Sequence, residues 1–318
     1  MPKGQNVPEK YLWGYKVDKE DENYAFNDQY HLYFNKNTGE QHISVTQLIG
    51  AYCSSFDEEF WSAYKALEVI CDGDVWSILK PKLLSTKKFT DKTLEFVTSN
   101  YNIDKSEFLQ KQEEIKQEYK QKRDEACERG TKIHLAKELQ MYGKREFDFT
   151  KYGFKNLCGE FTCIQNHNIL DLDRGVYPEF LISATFGDLT ILGQMDLLII
   201  DGLDAYLGDY KTNREIKKTS YFDQRKKRYQ MMKAPLNNLM DSTLVHYQLQ
   251  LSLYARMLQQ RNPKYNIKQL QIIHTDHDDN ETLYTVDYLK DDVDRMIKDY
   301  AKKERVRKQL ERNKPFIM

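Results

Sequence analysis

Asp209 and Lys211 stand two residues apart in "LGDYKTN" (207–213), where an apolar, strand-like run meets an acid, a tyrosine and a lysine. Side chains alternate along a strand, so the acid and the lysine share a face with Leu207 while Tyr210 takes the other. Two more acids lie upstream in apolar runs. Asp196 in "TILGQMDLLII" aligns with Leu192, Gln194 and Leu198, and Glu179 in "VYPEFLIS" stands among Tyr177, Leu181 and Ser183. Burying a carboxylate is costly unless it is paired or holds a metal. Carboxylates from neighbouring strands can form an oxygen cage for Mg²⁺ or Mn²⁺. A lysine beside one of them can orient or help deprotonate an attacking water and offset developing negative charge. That chemistry is phosphodiester cleavage. Taken alone, "GDYK" is equally a solvated strand end.

The elements that must position these residues follow from periodicity. "YHLYFNKNTGEQHISVTQLI" predicts a hairpin around "NKNTGE", leading into a helix with Thr46 as its N-cap. Helices are expected from about Asp57 to Cys71 and from about Ser106 to Tyr142, the second highly charged with Gly130 as its one flexible point. Residues 72–102 read as a mixed, partly helical lobe, whose lysines between Lys80 and Lys88 could arch over single-stranded DNA. "VYPEFLIS", "TILGQMDLLII" and "DAYLGDYKT" are joined by the short turns "ATFGD" and "DGLD", which predicts an antiparallel meander. The long helix "TLVHYQLQLSLYARMLQQ" comes next, then strands "KQLQIIHT" and "ETLYTV". A closing amphipathic helix carries Leu289, Val293, Met296 and Tyr300 on one face. In the charged helix, Gly130, His134 and Glu138 share one side, so a neutral His134 can add a nitrogen ligand, although a lone helical histidine is more often just hydrogen-bonded. Gln250 and Tyr254 lie one turn apart on the long helix.

Taken in order, "RGTKIH", "PEF", "GQMDLL", "GDYKTN" and "HYQLQLSLY" resemble the RecB-type branch of the PD-(D/E)XK nuclease superfamily over residues 129–254. Asp209 and Lys211 match its (D/E)xK element, Gly193 and Asp196 its glycine-to-aspartate strand, His134 its histidine helix, and Gln250 with Tyr254 its glutamine–tyrosine helix. "HISVTQLI" is also similar to the start of the phage and mitochondrial genome-maintenance exonucleases, where a Ser-Val-Thr segment enters a helix near the DNA path. The resemblance implies an α/β fold with a restriction-endonuclease-like core: a central mixed sheet built on a three-strand meander, flanked by helices. Residues 1–105 would be a hairpin and mainly helical elaboration, and 106–318 the core with its C-terminal helix, integrated as one domain. It implies metal-dependent DNA hydrolysis, most often by an exonuclease working from ends in recombination, repair or genome processing. Asp196, Asp209 and His134 would hold one or two Mg²⁺ or Mn²⁺ ions, and Lys211 would serve the attacking water and the phosphate. Gln250 and Tyr254 would support the site, with Glu179 as the acid preceding the Asp196 strand. Arg129 and Thr131 could contact phosphate, and Ser44 and Thr46 lie in the segment near the DNA path. A structure-specific endonuclease shares this chemistry. A non-catalytic DNA-binding or assembly protein could retain the fold without it.

Composition narrows the setting. With 318 residues, 40% of them hydrophobic and 31% charged, the chain can bury a substantial core. Net charge is −1, yet residues 211–233 concentrate nine lysines and arginines, including Arg214, Lys217 and Lys218, against Glu215 and Asp223. Such a local patch can bind a phosphate backbone, or be merely a solvated loop. No apolar stretch nears the roughly 20 residues of a membrane span, and no apolar signal core opens the chain, so a cytoplasmic protein in a bacterial or phage-infected cell is expected. The Lys-, Asn- and Tyr-rich composition fits an AT-rich genome. Five scattered cysteines without a CxxC read as reduced thiols, and none lies beyond Cys163, so the iron–sulfur cluster of several RecB-type enzymes is not expected. No GxxxxGK[ST] loop is present, so a helicase or recombination partner would be a separate polypeptide. "HTDHDDN" (274–280) has turn composition and reads as a polar loop rather than a metal site.

Overall fold

The computed structural model describes residues 19–20, 23–27, 32–142, 144, 146–164, 172–224 and 226–312. It divides into two compact units, one comprising Met1–Ser54 and Lys132–Met318, the other Ser55–Thr131. This division departs from the expected boundary near residue 105. Strand pairing is the reason, because an N-terminal strand joins the main sheet.

In chain order, β1 (Lys19–Glu20), β2 (Tyr24–Asn27) and β3 (Leu32–Asn35) form a small antiparallel sheet. β4 (Ile43–Ser44) leads into α1 (Val45–Gly50). The expected hairpin forms only in part: Phe34 bridges to Gln41, after which β4 leaves to pair in parallel with residues 191–192. Ser44, not Thr46, caps α1 through a capping box with Gln47, in which Ser44 Oγ accepts from the Gln47 amide at 3.1 Å.

The second unit is helical: α2 (Glu58–Ile70), α3 (Gly73–Thr86), α4 (Asp91–Tyr101) and α5 (Lys105–Met141) as far as Thr131. Asp57, Asp72 and Thr90 cap the first three. Phe60, Leu67, Leu79, Leu83, Val97 and Phe108 form its core. Residues 72–102 are thus more regular than expected, with Pro81 inside α3. Buried Leu79 and Leu83 on either side of it show tertiary packing overriding the local penalty of an internal proline.

In the first unit follow β5 (Thr162–Cys163), β6 (Gly175–Phe186), β7 (Leu189–Asp201), β8 (Asp204–Lys211), the short pair β9 (Phe222–Asp223) and β10 (Arg228–Tyr229), α6 (Thr243–Arg261), β11 (Asn266–Thr275), β12 (Glu281–Val286) and α7 (Lys290–Arg312). The main sheet runs β12-β11-β8-β7-β6-β5, with β4 on β7. β6, β7 and β8 are the expected antiparallel meander, while β11 joins β8 in parallel, which makes the sheet mixed. One face packs Leu198, Ile200 and Leu207 against Leu251 and Leu258 of α6 and Met296 of α7. The other packs Leu197, Ile199 and Tyr206 against Phe149, Phe154 and Phe161. Both faces being covered explains why "LLII" (197–200) is continuously apolar. Each fully buried leucine here contributes about 1.5–3 kcal/mol.

Candidate active site

Two irregularities in the meander place the acids. The register pairs Pro178 with Leu197 and Phe180 with Met195, so Glu179 and Asp196 stand opposite each other where the ladder is interrupted. Tyr177 packs in the same cluster as Phe180 and Ile182, and Met195 in the same cluster as Leu198. Leu181 and Leu192 lie in a different one, with Phe26 and Tyr33. Simple alternation, which grouped Glu179 with Tyr177 and Leu181, and Asp196 with Leu192 and Leu198, therefore fails at both acids. Glu179 has φ of 50°, left-handed backbone that costs a non-glycine residue about 1–2 kcal/mol. Strain of this kind persists where surrounding structure enforces it.

The second irregularity is on the opposite edge of β7. β8 pairs with it only from Leu197 onward, and β4 only at Ile191 and Leu192. Among the described residues, no strand covers 193–196 on that edge. Asp196 substitutes for the missing ladder: its Oδ2 accepts the Tyr210 backbone N–H at 2.6 Å. At Gly193 the space is filled by Tyr254, whose Cε1 would lie 2.6 Å from an added Cβ. Val45 of α1 would lie 2.9 Å from the same atom.

Into this place comes His134, from the last turns of α5 that belong to the first unit. Its Nδ1 is 3.4 Å from Glu179 Oε1 and 3.6 Å from Asp196 Oδ1. One ligand atom from each of the three lies within 4.8 Å of the others. Gln194 Nε2 donates to the second Glu179 oxygen. Asp209 sits one residue past the last β7–β8 pair, buried, with Gln250 Nε2 donating to its Oδ1 at 3.0 Å and Lys211 Nζ 2.6 Å from its Oδ2. The lysine ammonium also lies 4.8 Å above the Tyr247 ring, a cation–π contact.

The charges do not balance on their own. Glu179, Asp196 and Asp209 against Lys211 leave a formal −2 when His134 is neutral. Burial pulls the His134 imidazole down, but Asp196 and Glu179 outweigh it and push the group up to about 9. Burial, then the charge of Asp209, pushes Asp196 well above the usual carboxylate range. Burial opposes the charge on Lys211, yet Asp209 and Asp196 hold it above its ordinary value. Lys211 is thus a fixed positive charge here, which favours the charge-offsetting part of its expected role over proton acceptance. Without an ion His134 keeps a proton that offsets its acids, and two carboxylates converging with that imidazole fit a divalent, oxygen-preferring cation that would take the proton's place. Glu179 converges with His134 and Asp196, while Asp209 faces Gln250 and Lys211.

The other expected residues are distributed differently. Tyr254 is buried against Gly193 and one turn from Gln250. Arg214, Lys217 and Lys218 are exposed on the segment leaving β8. Ser44 is buried and uses its hydroxyl as a cap, whereas Thr46 is exposed. Arg129 and Thr131 belong to the helical unit, and the Thr131 hydroxyl bonds back to the Cys127 carbonyl at 3.1 Å. Glu138 meets the Tyr142 hydroxyl. In "HTDHDDN", Asp276 accepts from the amides of Asp278 and Asn280, each at 2.9 Å, which makes it a self-capped turn between β11 and β12. Sequence reasoning missed the supporting groups: Gln194, the Tyr210 amide and Tyr247. Only Gln194 carried a signal, its parity with Asp196.

No family model and no curated protein matches the chain. Solved structures similar to it include the following two. The crystal structure of SSO0001 aligns at TM-score 0.29 and 16% identity, over 54% of this chain and 57% of that one. A Eubacterium rectale protein described as "Putative exonuclease" aligns at TM-score 0.30 and 12% identity, over 82% of this chain and 71% of that one. This chain thus spans little more than half the length of SSO0001. Neither likeness is close enough to bear on function, which rests on the site's own residues.

Proposed function

We propose that the chain is a metal-dependent deoxyribonuclease of the RecB-like PD-(D/E)XK type, hydrolysing phosphodiester bonds from DNA ends. The observation that carries this is the convergence of His134, Glu179 and Asp196 within 4.8 Å, beside the Asp209–Lys211 pair. His134, Glu179 and Asp196 would hold Mg²⁺ or Mn²⁺, with Asp209 beside them. When bound, that ion supplies concentrated positive charge against the scissile phosphate. Lys211 holds a proton on Nζ and offsets charge on a phosphate oxygen. Gln250 fixes Asp209, the Tyr210 amide fixes Asp196, and Gln194 fixes Glu179. Positioning of this kind is what electrostatic catalysis requires. Exposed Arg214, Lys217 and Lys218 leave β8 directly after Lys211 and supply a basic approach for the DNA backbone. The setting would be cytoplasmic recombination, repair or genome processing, with any helicase or recombination partner a separate chain. Among the described residues no helix is long and apolar enough to cross a membrane.

The test is digestion of single-stranded DNA labelled separately at each end, with Mg²⁺, Mn²⁺ or EDTA. Wild type should give short, metal-requiring products, and Asp209→Ala and Lys211→Ala should each lower the rate by about 10²–10³ or more. The label released first gives the polarity. A wild type that binds DNA but never cuts single-stranded, duplex or flapped substrates with either metal would overturn the catalytic reading.

A further inference from the structure

A second convergence of ligand atoms lies apart from these residues. Cys53 follows α1, Asp241 lies half-buried just ahead of α6 with its side chain turned inward, and His246 stands on the first turn of that helix. Cys53 Sγ is 3.3 Å from His246 Nε2, and Asp241 Oδ1 is 2.6 Å from the same nitrogen. Three ligand atoms, one from each residue, lie within 4.8 Å of one another.

The shared nitrogen separates two readings. In a Cys–His–Asp nucleophile the carboxylate orients one imidazole nitrogen while the other meets the thiol. Here both partners meet Nε2, so no relay runs through the ring. Thiol and carboxylate instead gather on the same side of the imidazole, the thiol also donating to the Ile49 carbonyl at 3.4 Å, and the three donor atoms are close enough together to be shared by one ion. The carboxylate is held from behind: its Oδ2 accepts the Ser54 backbone N–H at 2.8 Å and Gln230 Nε2 at 3.3 Å, which leaves Oδ1 for the common point. Such support orients ligating carboxylates. A thiolate and a carboxylate together neutralise a divalent charge, and the S, N, O donor set suits zinc better than magnesium.

We propose that Cys53, Asp241 and His246 form a binding site for a zinc-type divalent cation, distinct from the His134–Glu179–Asp196 group. Binding forms a sulfur–metal bond and releases the Cys53 thiol proton to solvent, with no change of oxidation state. The His246 side chain is 30% exposed, which leaves a fourth position open to solvent. Burial, then the charge of Asp241, pushes the Cys53 thiol up and exposed Lys233 opposes them, so the thiol keeps its proton until an ion displaces it. The bound ion would pin the end of α1 to the start of α6, one turn before Gln250. Its role would be structural: it holds the helix that carries Gln250 and Tyr254.

The test uses the full chain, stripped with a chelator, with the exposed Cys127 and Cys158 changed to serine. One equivalent of Co²⁺ should produce visible tetrahedral bands and a near-ultraviolet thiolate-to-cobalt band, and one equivalent of Zn²⁺ should abolish both. The thiolate band should vanish in Cys53→Ser and persist in Asp196→Asn, so the result stands or falls separately from nuclease activity. Asp241→Asn, which is isosteric, should weaken Co²⁺ binding by about 10–100-fold. It serves as the second probe if Cys53→Ser folds poorly. A chain that binds no Co²⁺ with thiolate character, or one whose band survives in both Cys53→Ser and Asp241→Asn, overturns the proposal and leaves a hydrogen-bonded cluster.

Discussion

Gly193→Ala isolates the contact that keeps β7 and α6 in register at the site. The new methyl carbon would fall 2.6 Å from Tyr254 Cε1, 3.2 Å from its hydroxyl and 2.9 Å from Val45 Cγ2. Ordinary carbon–carbon contacts begin near 3.5 Å, so the ring must retreat by about 0.9 Å or the strand must bend. Neither is easy, since Tyr254 and Val45 are both buried in the main core. Overpacking of this kind costs about 1–3 kcal/mol. Gly193 is not among the positive-φ glycines, so alanine gains back about 0.4–1 kcal/mol by restricting the unfolded chain. The net expectation is a loss of about 1–2 kcal/mol, or roughly 2–8 °C in Tm. Urea unfolding of wild type, Gly193→Ala, Tyr254→Leu and the double variant makes a cycle. With the ring gone, the methyl should cost much less, the Val45 contact setting the remainder, for a coupling of about 0.5–3 kcal/mol. If Gly193→Ala costs the same in both backgrounds, Tyr254 is not why position 193 is glycine, and the account of this edge of β7 is wrong.

Two further outcomes follow from the same geometry. Gln250→Ala removes the donor to Asp209 Oδ1 beside Lys211, so the cleavage rate should fall about 10-fold or more while Mn²⁺ affinity, measured by calorimetry, changes little; an unchanged rate would mean Asp209 needs no such anchor. Glu179→Gly and Glu179→Ala both delete the carboxylate, but only glycine tolerates φ of 50°, so the glycine variant should melt higher by about 1–2 kcal/mol of stability while both lose Mn²⁺ binding. Equal melting would refute the backbone strain.

Much of the sheet was legible because its apolar, β-rich runs are bounded by turn residues, and "ATFGD" and "DGLD" announce the meander plainly. The long helix and the closing amphipathic helix were legible for the matching reason, period 3.6. The helical lobe was less so: Pro81 argues against a helix locally, and only the tertiary core of Phe60, Leu79, Leu83 and Phe108 overrides it. The unit boundary was hidden because the two-residue pairing of β4 with β7 is non-local and leaves no mark in composition. Among the chemical residues, the types were readable and the partners were not. Nothing in a sequence says that Asp196 accepts a backbone amide, or that Glu179 rather than Asp209 stands within reach of His134.

These misses share one physical origin. Alternation assumes an unbroken ladder, and the chemistry sits where the ladder breaks. Glu179 and Asp196 occupy the position at which both strands change face, and β8 parts from β7 one residue before Asp209. A regular ladder there would satisfy every backbone group internally. The break instead frees the Tyr210 amide to bind Asp196 and opens the edge that Tyr254 fills at Gly193. Departing from regularity costs a strained backbone at Glu179 and a local excess of negative charge. A divalent cation offsets the second of these costs directly. The metal-free protein should therefore be the less stable form. Saturating Mn²⁺ should raise its Tm, and Asp196→Asn, which removes one of the three groups that would hold the ion, should narrow that difference.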